Sequence, residues 1–124
     1  MQAIRRGDTI YLAGQLAHDG SELVAPAPVD ENNKVTDFSN MEAQMRRAYV
    51  NAAELLRRFG ASLDDVVEEV LYVLDVDAAF AVAGSVRKAA YGREDPQVAS
   101  NLIGVTRLAF PQQLIEISFH ARVG

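Results

Sequence analysis

The stretch Val66-Val67-Glu68-Glu69-Val70-Leu71-Tyr72-Val73-Leu74-Asp75 constrains the fold more than any other. Its β-branched and aromatic residues read as a strand. Its alternation of apolar and polar residues is poor, with Val66, Val70, Tyr72 and Leu74 on one face and Val67, Leu71 and Val73 on the other. Beyond Glu68-Glu69, which reads as facing solvent or a strand end, both faces are apolar, so this strand needs cover on both sides. A chain of 124 residues with two helical stretches can cover only one face of a sheet. The other face calls for a partner, and this predicts an oligomer.

The two helical stretches are legible from spacing. Met41, Met45, Ala48, Tyr49, Ala52, Leu55, Leu56 and Phe59 recur on one helical face. Ser39-Asn40-Met41-Glu42 has the pattern of a capping box at its start, and Gly60 suits its end. The second helix is expected from an Asp77 cap to about Tyr91, with a small inner face of Ala79, Ala83, Gly84 and Ala90. Gln2 to Arg6 and Thr9 to Leu16 read as strands, with Gly14 marking a bulge or a close approach. His18 to Asp37 reads as a long polar loop. Near the end, Val98 to Leu108 and Gln112 to Ala121 read as a hairpin of two strands joined at Ala109-Phe110-Pro111. Helices interleaved with short strands predict one α+β domain over residues 1–124, a mixed sheet with both helices on one face.

Composition excludes several kinds of chemistry. There is no cysteine, so disulfides and thiolate catalysis are ruled out. His18 and His120, the only histidines, lack metal-ligand spacing, and no metal site or cofactor is expected. A net charge of −5 argues against nucleic acid as a partner. No apolar run spans a membrane and no secretory leader is visible, so a cytoplasmic protein with no membrane partner is expected.

One carboxylate stands out. Glu116 lies mid-strand, with Ile115, Ile117 and Phe119 on the opposite face. It is either an edge-strand carboxylate, solvated or paired with arginine, or an acid/base or water-positioning group in an inter-subunit cleft. Ser100 and Asn101 open the preceding strand. They either make strand-start hydrogen bonds or, with the Leu102 amide, form polar contacts for the carboxylate of a small-molecule ligand.

Several landmarks in order carry a family resemblance. They are Gly7-Asp8-Thr9-Ile10-Tyr11-Leu12-Ala13-Gly14-Gln15, Phe59-Gly60-Ala61-Ser62-Leu63-Asp64-Asp65-Val66-Val67, Tyr72-Val73-Leu74-Asp75 with Phe80, and Leu114-Ile115-Glu116-Ile117. Together they resemble the Rid family, the reactive intermediate deaminases or YjgF-like proteins. The resemblance implies a fold like that of trimeric chorismate mutase, a homotrimer, and a ligand cleft between subunits. It also implies cofactor-free hydrolysis of enamines and imines such as 2-aminoacrylate. Under it, Glu116 matches the family's water-orienting glutamate. Gly14 matches the glycine of the Ser-Gly-Gln strand end, whose serine is Ala13 here. The arginine that binds the substrate carboxylate falls on Ser100, and the neighbouring backbone contact falls on Leu102. The chain thus resembles a branch without that arginine, for which simple 2-aminoacrylate is a poor fit. Two roles follow, a hydrolase of another enamine or imine and a non-catalytic small-molecule-binding trimer. Endoribonuclease activity, a label some members carry, is opposed by the acidic charge.

Overall fold

A computed structural model describes residues 1–124. Seven strands and two α-helices run in the order β1 (Ala3–Arg6), β2 (Thr9–Gln15), β3 (His18–Asp19), β4 (Glu22–Leu23), α1 (Met41–Arg57), β5 (Val66–Val73), α2 (Val76–Tyr91), β6 (Ala99–Gly104) and β7 (Ile115–Arg122). The sheet order is β1-β2-β7-β5-β6, with only the β5–β6 pair parallel. The segment between β2 and α1 is less bare than its composition suggests. β3 and β4 form a hairpin there, and Val29 bridges Val35.

Both helices pack on one face of the sheet. Ile10, Leu12, Leu71, Val73, Ile115, Ile117, Phe119 and Ala121 from the strands join Met41, Met45, Ala48, Tyr49, Ala52, Leu56, Ala79 and Val86 from the helices in one core. The opposite face carries Tyr11, Glu68, Val70, Tyr72, Glu116, Ser118 and His120, none of them fully buried. This is the α+β arrangement expected from the element order.

Local details depart from expectation for identifiable reasons. Ser39 does not cap α1, because Asp37 captures both its amide and its hydroxyl. Asn40 takes the cap position, and Glu42 pairs with Arg46 instead. The second helix starts earlier than Asp77. Asp75 is its cap, accepting from the Ala78 amide at 2.8 Å, and Gly92 closes it with φ of 67°. Its inner side includes Ala79, Val86 and Tyr91, while Gly84 faces outward. The last two strands are not a hairpin. β5 lies between them, because β6 pairs with β5 in parallel. Finally, Val66 does not share a face with Val70 and Tyr72. A bulge between Val66 and Glu68 turns Val66 to the helix side with Glu69, Leu71 and Val73.

Candidate functional site

Two carboxylates define the chemistry, one on each face of the sheet. Glu116 is on the open face of β7, opposite Tyr72 of β5. It is half-buried, and no ion pair in the chain includes it. On the other side β2 leaves regular register between Leu12 and Gln15, which brings Gly14 against Glu116. A Cβ on Gly14 would overlap the Glu116 carboxyl group, so glycine is what lets the carboxylate lie there. Both halves of the Gly14 expectation, bulge and close approach, are present together. Further along this face, His120 packs edge-on against Tyr11 with ring centres 4.8 Å apart, and its Nδ1 lies 3.3 Å from Glu68.

Glu69 was not a candidate, since two adjacent glutamates read as solvated. It is fully buried on the helix side. Its Oε1 accepts from the hydroxyls of Tyr49 and Tyr91, each at 2.7 Å. Its Oε2 accepts from Arg87 Nε at 2.5 Å and from Ser100 Oγ at 2.7 Å. Tyr49 comes from α1, Arg87 and Tyr91 from α2, and Ser100 from β6. One side chain thus ties both helices to the sheet edge. A signal was available: counting in twos from Val73 and Leu71 reaches Glu69. Burial, then the adjacent Glu69 charge, pushes both tyrosine pKa values well above the usual 10.0. Burial opposes the Arg87 charge, but Glu69 outweighs it and raises that pKa too.

This sets a pH dependence. The unfolded chain releases the two phenolic protons near pH 10, while the folded chain keeps them. Their contribution to stability is therefore full below about pH 10 and declines above it, by roughly 1.4 kcal/mol per pH unit for each tyrosine. Urea midpoints measured up the alkaline range are expected to fall from that point, and to fall less steeply in Tyr49→Phe. A slope unchanged by that substitution would contradict this account of the cluster.

The expected site residues divide between the two faces. Gly14, Ala13 and Glu116 cluster at the β2–β7 contact. Ser100, Asn101 and Leu102 lie on β6, an edge strand with β5 between it and β7. The Ser100 hydroxyl turns to Glu69, away from the face that carries Glu116. Within one chain the two groups therefore do not share a pocket. The largest hollow, about 700 Å³, is bordered by Leu16, His18, Leu23, Pro26, Phe110 and Gln112, and Glu116 does not line it.

Comparison with known proteins agrees with this architecture. The family described as Endoribonuclease L-PSP matches residues 1–123. A RutC family protein of Pyrococcus abyssi is 30% identical over 107 residues, covering 86% of this chain and 73% of that protein. The crystal structure of RidA from the Antarctic bacterium Psychrobacter sp. PAMC 21119 is 27% identical, with a TM-score of 0.77 over 98% of this chain and 86% of that one. A Mycobacterium tuberculosis member of the YjgF/YER057c/UK114 family is 26% identical, with a TM-score of 0.75 over 98% and 85%.

Proposed function

We propose a function from one premise: the chain belongs to the Endoribonuclease L-PSP family, the Rid or YjgF-like proteins. The proposed activity is cofactor-free hydrolysis of a reactive enamine or imine to a carbonyl compound and ammonia, in a cleft between subunits of a homotrimer. The observation that carries it is the Glu116 carboxylate, held over Gly14 and taken by no cation of its own chain. In this role Glu116 accepts a proton from water as the oxygen adds to the C=N carbon. With the nitrogen already protonated as the iminium, this gives the neutral carbinolamine. Glu116 then returns its proton to nitrogen as the C–N bond breaks, and the hydroxyl releases its own proton to solvent as C=O forms and ammonia leaves. Ala13, Gly14, Asn101 and the Leu102 backbone serve as ligand contacts.

The separation of Ser100 from Glu116 supports an inter-subunit cleft. A cleft using both must draw them from two copies. The exposed apolar groups Tyr11, Val67 and Ile103, at 41%, 49% and 44% exposure, give the sheet a surface suited to such packing. A binding-only trimer is the second reading, favoured by Ser100 at the arginine position with its hydroxyl already committed. The net charge of −5 disfavours RNA as substrate.

The test is carbonyl release from imines generated enzymatically in the presence of the protein. Acceleration over the spontaneous rate is expected for at least one imine. For 2-aminoacrylate, loss of the guanidinium contact costs several kcal/mol, roughly a thousandfold, so little acceleration is expected. No acceleration of any imine leaves the binding-only reading. Sedimentation is expected to give a trimer, and a stable monomer at micromolar concentration overturns the inter-subunit cleft.

A further inference from the structure

Ser100 stands with its back to a buried anion. An ionised carboxylate can only accept hydrogen bonds, and a guanidinium can only donate them. Glu69 has Arg87, Tyr49, Tyr91 and Ser100 around its two oxygens, two groups on each. The carboxylate form fills that shell with four donors, and it commits the Ser100 proton to Glu69. What Ser100 can show to a ligand is therefore oxygen lone pairs. The residue is itself exposed, on the edge strand β6. Arg87 is held by the same carboxylate. Its Nε is taken by Glu69, and its Nη2 is buried without a partner.

We propose that the Ser100 corner selects ligands that bring a hydrogen-bond donor, such as an ammonium, an iminium or an amide N–H, and rejects those that bring a carboxylate. The inference rests on the reading of β6 as one wall of the ligand cleft and names the substrate class for it. That class is imines derived from amines, with no carboxylate on the imine carbon. A hydroxyl that donates to an anion is polarised into a better acceptor. A carboxylate placed there would set lone pairs against lone pairs and would lose its water with nothing in return.

The test uses two ligands of equal size and opposite charge, butylammonium and butyrate, titrated into the isotopically labelled protein. Backbone amide shifts on β6 report binding without any need for turnover. Butylammonium is expected to bind about tenfold tighter or more, the least that a charge-assisted hydrogen bond provides. Ser100→Ala is expected to erase the difference, and Ser100→Thr, which keeps the hydroxyl, to retain it. Butyrate binding as tightly as butylammonium, a preference that survives in Ser100→Ala, or no shift on β6 with either ligand overturns the proposal. Imine turnover is read separately. Ammonium preference without turnover overturns the hydrolase alone. Faster turnover of carboxylate-bearing imines than of amine-derived ones overturns the Ser100 assignment alone.

Discussion

Glu69→Leu is expected to destabilise the protein by about 3–5 kcal/mol, which is a large share of the stability of a domain this size. The substitution leaves the Arg87 guanidinium and three hydroxyls without their acceptor. The cost comes from uncompensated burial rather than from lost attraction. Because the Arg87 side chain keeps 19% exposure, part of the charge can turn to water, which favours the lower end of the range. The double variant Glu69→Leu/Arg87→Leu removes the stranded charge together with its partner. It is expected to be more stable than Glu69→Leu alone. Urea unfolding of the two variants decides the matter. A single variant within 1 kcal/mol of the parent, or a double variant worse than the single, would show that the pair is not held as a buried unit.

Glu116→Gln is expected to leave the fold and the assembly unchanged and to lower imine turnover by roughly 10²–10⁴-fold. Glutamine has nearly the same volume, so it can lie over Gly14 as the carboxylate does. It cannot take a proton from water. No ion pair is lost, because Glu116 has none within the chain. Steady-state kinetics beside a melting curve separate the two roles. Unchanged turnover would make Glu116 an ordinary strand carboxylate, and a loss of fold or assembly would make it structural. Gly14→Ala offers a control that keeps the charge. Its methyl group displaces the carboxyl, so turnover falls without any change in titratable groups.

The sequence announced what depends on neighbours along the chain and concealed what depends on partners far away. α1 was legible because its apolar residues recur every three or four positions, and Met45, Ala48, Tyr49, Ala52 and Leu56 do enter the core. Gly14 and Glu116 were legible one at a time, the first as a strand glycine and the second as a mid-strand carboxylate. Their contact comes from pairing across 102 positions (116 − 14). Glu69 was misread because burial of a carboxylate depends on what surrounds it. Its donors lie 18 to 31 residues away on two helices and a strand. Arg87 gave no local sign of its role, since an arginine on an amphipathic helix normally faces water. The cap of α1 failed for a smaller reason. As a cap the Ser39 hydroxyl would accept from an amide of the first turn, but it donates instead to the Asp37 side chain two residues back.

The position of β7 bears on how the molecule comes to be made. This strand, Ile115–Arg122, is late in the chain yet lies in the middle of the sheet, pairing with β2 on one side and β5 on the other. Until it is available, the β1–β2 ribbon and the β5–β6 pair have no hydrogen bonds between them. Synthesis proceeds from the other end, so a nascent chain holds two half-sheets with unpaired inner edges and waits for the strand that joins them. Such pairings across long sequence distances are slow to close, and open edges invite contact with other chains in the meantime. The carboxylate proposed for catalysis thus arrives on the same strand that completes the sheet, and no partly made chain can present it in place.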